Sequence, residues 1–115
     1  VGGLYDRGYY LDGQMHIIRD TKEWWGQSET LNTLLIMSRL YPDDLMDYEE
    51  KFIQQWIYID KYLIDHQRGG WYIGGLDKEE GAQKAIKSGI WKGAYHTVRS
   101  MLSCLNHLQV PEQTH

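Results

Sequence analysis

Apolar residues recur along this chain at steps of three and four, in three blocks separated by glycine- and proline-containing breaks. Leu31, Leu34, Leu35 and Leu40 form the first block, which Pro42 ends. Leu45, Tyr48, Phe52, Trp56, Ile59 and Leu63 form the second, with Asp43 and Asp44 placed to cap its start and Gly69–Gly70 to stop it. Ala94, Val98, Met101, Leu102, Leu105 and Leu108 form the third, before Pro111. Each block is the stripe of an amphipathic helix. The segments "GGLYDRGYYLDG" (2–13) and "GGWYIGGLDKEEG" (69–81) are glycine-rich and aromatic, and read as β-hairpins or long turns.

These two segments open two copies of one pattern. Gly2–Gly3 aligns with Gly69–Gly70, Tyr5 with Tyr72, Trp24 with Trp91 and Gly26 with Gly93, all at the same offset. At that offset Leu31 meets Val98, Leu35 meets Leu102, and Glu29 meets His96. The expected fold is therefore all-α: helical-hairpin repeats with short β-hairpins between helices, in units of about 2–68 and 69–115. One complete unit and most of another do not close an architecture, so the chain is expected to be part of a larger array. Its first helix should then lack a neighbour on one side. Either the rest of the polypeptide or self-association is expected to cover the exposed helix faces.

Composition narrows the partners. The 115 residues are 42% hydrophobic and 24% charged, as in globular domains. A formal charge of −4 argues against nucleic acid and against an anionic membrane. No apolar run approaches the roughly 20 residues of a membrane span. A single cysteine, Cys104, has no internal disulfide partner, in keeping with a reducing, cytoplasmic location. Five Trp and nine Tyr stand against one Phe. Trp and Tyr join a flat apolar face to a hydrogen-bonding edge, which suits either a packed core or a sugar ring.

The early turns of the first and third helices carry the candidate chemistry. Trp24, Trp25, Gln27 and Glu29 precede one apolar stripe, and Trp91, Lys92, Tyr95, His96 and Arg99 precede the other. Helices stacked side by side would join these turns into an aromatic-walled pocket with a few polar groups. For His96 alone, the residues leave a solvated polar face and a reactive base both open. There is no H-E-x-x-H, no cysteine pair and no EF-hand loop, so no metal site is expected. A phosphate loop and a G-x-S-x-G nucleophile are missing too.

"KEWWGQSETLNTLL" (22–35), "GGWY" (69–72) and "WKGAYHTVRSML" (91–102) together resemble the N-acylglucosamine 2-epimerase and cellobiose 2-epimerase family. The resemblance covers essentially the whole chain and corresponds to the C-terminal third of such an enzyme. It implies an (α/α)6 toroid with the sugar at its centre. It also implies epimerisation at C2 of a mono- or disaccharide, or aldose–ketose isomerisation, without metal or nicotinamide. His96 would be one of two catalytic histidines. Trp91 and the Trp24–Trp25 pair would be aromatic walls, with Glu29, Tyr95 and Arg99 lining the cavity. The second histidine of the family lies in a G-H-x-I-E motif that this sequence does not contain, and His16, in "QMHIIRD", does not match it. The isolated chain is accordingly expected to be inactive. In this chemistry an imidazole of pKa about 6.5 takes the C2 proton of an open-chain sugar, and Arg99 or Lys92 stabilises the enediolate. Two alternatives remain: a glycoside hydrolase on a helical toroid, needing two carboxylates, and a non-catalytic carbohydrate- or protein-binding module.

Overall fold

The computed structural model describes residues 2–90 and 92–109. Strands β1 (Arg7–Leu11) and β2 (Gln14–Arg19) precede helices α1 (Trp24–Leu40), α2 (Tyr48–Tyr62) and α3 (Tyr95–Gln109), with a 3-10 turn over Glu80–Lys84 before α3. β1 and β2 form an antiparallel ribbon joined at Asp12–Gly13, with a bulge beside Arg7–Gly8. The hairpin expected over 2–13 is thus displaced: "QMHIIR" supplies its second strand. Both of its faces are largely exposed.

α1 is the central element, packed on one side against α2 and on the other against α3. It buries Gln27, Ser28, Leu31, Asn32 and Leu35, a run at helical spacing, and ends at Leu40 just before Pro42. Of the expected stripe Leu40 is exposed and Leu34 half-buried, while α2 and α3 cover Leu31 and Leu35. Uncovered apolar surface also lies on α3, where Val98, Leu102, Leu105 and Leu108 are 49–62% exposed. α3 turns Ser100 and Cys104 inward, a small and weakly polar face that periodicity in large apolar residues does not reveal.

α2 starts and stops later and earlier than its sequence signals suggest. Its N-cap is Asp47, in the left-handed region at φ 47°, whose carboxylate accepts from Glu50 N–H at 3.1 Å. Asp44 holds the preceding turn through Met46 N–H at 2.8 Å, and Leu45 is fully exposed outside the helix. The helix ends at Tyr62 rather than at Gly69–Gly70, because the chain turns back through an Ile64–Trp71 bridge. Asp65 fixes that turn. Its carboxylate accepts the N–H groups of Gln67 and Arg68, each at 3.0 Å, and the Lys87 ammonium. The Lys87 hydrogen bond, with that from Arg68 N–H, holds the carboxyl down at about 2.

The segment 69–81 forms no second ribbon. It threads between the end of α2 and the start of α1, bridging Glu23 through Gly74. Its close passage needs Gly75, where a Cβ would fall 1.8 Å from the Tyr58 hydroxyl. The two copies do share one backbone signature: Gly2 and Gly3 have φ of 88° and 79°, and Gly69 and Gly70 have 83° and 76°. In both, a lysine ammonium binds the carbonyl of the first glycine, Lys22 on Gly2 at 2.7 Å and Lys87 on Gly69 at 2.8 Å. The helices that follow are out of step, since α1 begins at Trp24 and α3 only at Tyr95.

The core consists of Leu31, Leu35, Tyr58, Ile59, Leu63 and Cys104, with Trp24, Phe52 and Trp71 packed around it. A buried polar knot ties the loops to it. Lys22 Nζ contacts Asp77 Oδ2 at 3.0 Å, and Tyr58 donates its hydroxyl to Asp77 Oδ1 at 2.7 Å. Burial raises the Asp77 pKa, but these two hydrogen bonds and the Lys22 charge outweigh it and hold the carboxyl below its ordinary value.

Candidate functional site

Packing α3 on α1 brings the first turns of both helices to one end of the molecule. On α1, Trp25 and Glu29 are one turn apart; on α3, Tyr95, His96 and Arg99 share a face by the same spacing. Ser28 locks the two helices together by donating its hydroxyl to the His96 carbonyl at 2.7 Å. Asn32 and Cys104 meet one turn further along. These small polar residues allow α3 to approach closely and so place His96 beside Glu29.

Glu29 is the hub. One carboxylate oxygen lies 2.9 Å from His96 Nδ1, across a separation of 67 residues, and both oxygens accept from Arg99 Nη2. Burial pushes the Glu29 pKa up, but the Arg99 and His96 hydrogen bonds pull it down further, leaving the carboxyl below its usual range. An ionised carboxylate only accepts, so Nδ1 must carry the proton facing it. In neutral His96 the lone pair then belongs to Nε2, the nitrogen turned away from Glu29. This is the arrangement of an oriented base. The His96 side chain is 33% exposed, open enough to meet a ligand and still held.

Aromatic rings frame the imidazole. Tyr95 meets it edge-on at 5.0 Å, and Trp25 lies tilted at 5.8 Å. Arg99 sits over the Tyr95 ring at 5.2 Å. Trp25 and Glu29 also line a groove of about 510 Å³ that continues along Arg7, Arg19, Thr30 and Thr33 to the base of the ribbon. That volume suits a small molecule.

Trp25, Glu29, Tyr95, His96 and Arg99 thus come together. Trp24 does not join them: it packs against the core, with its indole N–H buried and Lys92 over its ring at 5.7 Å. Trp91 lies outside the described residues. Lys92 donates to the carbonyls of Trp71 and Lys87, and burial together with the Lys87 charge lowers its pKa. Arg99, rather than Lys92, is therefore the cation beside the imidazole. Sequence reasoning passed over Ser28, although it sits within the "KEWWGQSET" stretch at helical spacing from Trp24 and Asn32. Among the described residues no group of three His, Cys, Asp or Glu side chains is arranged to hold a metal ion.

The model of the family N-acylglucosamine 2-epimerase (GlcNAc 2-epimerase) matches residues 2–100. No curated protein matches the chain. Among solved structures, a D-mannose isomerase is similar at 28% identity and a TM-score of 0.74, covering 91% of this chain and 25% of its own. Cellobiose 2-epimerase from Bacillus thermoamylovorans B4167 is similar at 26% identity and a TM-score of 0.63, covering 95% of this chain and 27% of its own. Cellobiose 2-epimerase from Spirochaeta thermophila DSM 6192 shares the fold at 22% identity and a TM-score of 0.63, covering 84% of this chain and 23% of its own. The chain spans about a quarter of the length of the solved structures it matches.

Proposed function

This chain belongs to the N-acylglucosamine 2-epimerase family, and on that footing we propose that it is part of a sugar 2-epimerase or aldose–ketose isomerase in which His96 moves the C2 proton. The observation that carries the reading is the Glu29–His96 hydrogen bond, which leaves Nε2 as the free basic nitrogen. In an open-chain aldose the C2–H is acidified by the neighbouring aldehyde. Nε2 takes that proton, the C–H electron pair forms the C1=C2 bond, and the carbonyl pair moves onto the C1 oxygen. In this reading Arg99, paired with Glu29 beside the imidazole, supplies the charge that stabilises the resulting enediolate. Proton return to C1, with the O2 hydroxyl proton passing to O1 as the C2 carbonyl forms, gives a ketose. Return to the opposite face of C2 gives the epimer and needs a second base, which this reading takes from outside residues 1–115.

The same reading makes the three helices a portion of an (α/α)6 toroid, with a mono- or disaccharide at its centre and a cytoplasmic location. The isolated chain then binds sugar weakly and turns none over. Glu29 itself suits a glycosidase acid poorly, because a carboxyl held ionised by Arg99 has no proton to give.

Deuterium exchange at C2 tests the reading directly. The full-length protein in deuterated water should wash deuterium into C2 of D-mannose or cellobiose, and His96→Gln should slow this by about 10²–10⁴-fold with little change in sugar affinity. Exchange at a normal rate in His96→Gln would remove His96 from the chemistry.

A further inference from the structure

We propose that Glu23 and Arg19 are positioning residues for Trp25: a hydrogen-bonded brace from the base of the β-ribbon fixes the indole plane beside His96 and so sets how tightly the site holds a sugar. The proposal rests on the sugar-handling reading of the site. Trp25 is 45% exposed on the first turn of α1, so packing covers only part of its ring. Its N–H supplies a further restraint. Trp25 Nε1 donates to Glu23 Oε2 at 2.8 Å, and the other Glu23 oxygen accepts from Arg19 Nη2 at 3.4 Å. Arg19 Nε donates to the Thr21 hydroxyl at 3.0 Å, and that hydroxyl donates to Asp6 Oδ2 at 2.5 Å. The second Asp6 oxygen accepts the Glu23 backbone N–H at 2.8 Å, which closes the ring on the residue where it began.

The brace joins the end of β2 to the start of α1. Two consequences follow for a ligand in the groove. Because the indole N–H is engaged, a sugar meets Trp25 as an apolar face and not as a donor. Because that face lies 5.8 Å from the imidazole centre at 44°, its tilt decides how far a stacked ring stands from the base. A ribbon with little buried surface of its own thereby acts on the site through its base.

Nitrogen-15-labelled full-length protein provides the test, with the Trp25 indole signal identified by its loss in Trp25→Phe. In Glu23→Ala, solvent exchange of that indole proton should quicken about tenfold or more, as expected for a lost charge-assisted hydrogen bond. KM for D-mannose or cellobiose should rise about fivefold with a smaller fall in kcat. Glu23→Gln keeps a carbonyl acceptor and should restore both to within about twofold. Arg19→Met, which frees the Glu23 carboxylate, should fall between them. Unchanged indole exchange in Glu23→Ala, equal defects in the Ala and Gln variants, or an unchanged KM beside a loosened indole would each overturn the proposal. A protein that turns over neither sugar defeats the functional reading alone, and in that case the exchange rates and the dissociation constants of the two sugars decide the brace.

Discussion

The two faces of α1 have opposite characters. Toward α2 its Leu31 and Leu35 pack with Tyr58, Ile59 and Leu63, all nearly inaccessible to water, with the Lys22–Asp77 ion pair sealed at the edge. Toward α3 it meets a hydroxyl, an amide, a thiol and a charged triad whose members are 29–43% exposed. The first interface gains from burying apolar area and tolerates little change. The second gains little from burial but fixes the orientation of an imidazole. One helix serves both interfaces because its two faces read different residue types along the same turns.

The largest predicted effect lies on the α2 side. Asp77→Ala leaves the Lys22 ammonium, 3% exposed, without its counter-charge, and it also strips the Tyr58 hydroxyl of its acceptor. Stability should fall by about 3–5 kcal/mol, measured by urea unfolding. A loss under about 1 kcal/mol would show that water reaches the pair and that the contrast between the faces is overstated. The α3 side should respond differently to the loss of its own acid. Glu29→Gln should cost less than about 1 kcal/mol of stability, since the pair is solvent-screened. Turnover in the full-length protein should nevertheless fall by about 10²-fold, because an amide lacks the charge that holds His96 and its proton in place.

Acid should weaken both faces alike, and salt should separate them. Asp77, Glu29 and Asp65 all have carboxyl pKa values lowered in the folded state. A lowered folded value means that the contribution is complete above the ordinary carboxylate pKa of about 4 and is lost as pH falls through the folded value. For Asp65 that decline extends to about 2. The melting temperature should therefore hold above pH about 4 and drop steadily below it. Raising salt to about 0.5 M should weaken the exposed Glu29–Arg99 pair while leaving Lys22–Asp77 nearly untouched. Equal salt sensitivity of folding and of turnover would show that one kind of ion pair governs both.

How far the sequence disclosed this follows the same division. Large apolar residues at helical spacing announced all three helices, and the end of α1 before Pro42 was legible because proline cannot continue a helix. The ends of α2 were not. Three aspartates compete to cap it, and only Asp47 has the backbone geometry that reaches Glu50. The paired glycines of the two aromatic segments take the same left-handed torsions, but only the first segment belongs to a ribbon, because "GGWYIGGLDKEEG" is held by tertiary bridges instead of pairing with itself. The association of Glu29 with His96 arose in the sequence as equivalence between copies. In the structure it is direct contact across the α1–α3 seam, which only the fold could supply.

The smallest predicted effect tests the outer face of α3. Leu102 is 62% exposed and lies with Val98 and Leu105 on the side turned away from α1. If nothing covers that side, Leu102→Gln exchanges one hydrated surface for another, and the stability of the 115-residue chain should change by less than about 0.5 kcal/mol. The same change in the full-length protein should cost more, about 2 kcal/mol, if a neighbouring helix buries the side chain there. Both measurements are urea melts, and the difference between them is the quantity of interest. An equal and small effect in both contexts would leave the face bare in the whole protein and count against the toroid. An equal and large effect would mean that the isolated chain already buries Leu102, by pairing with a second copy. Sedimentation across a range of concentrations would then show that dimer, and the α3 face would be closed by the chain itself.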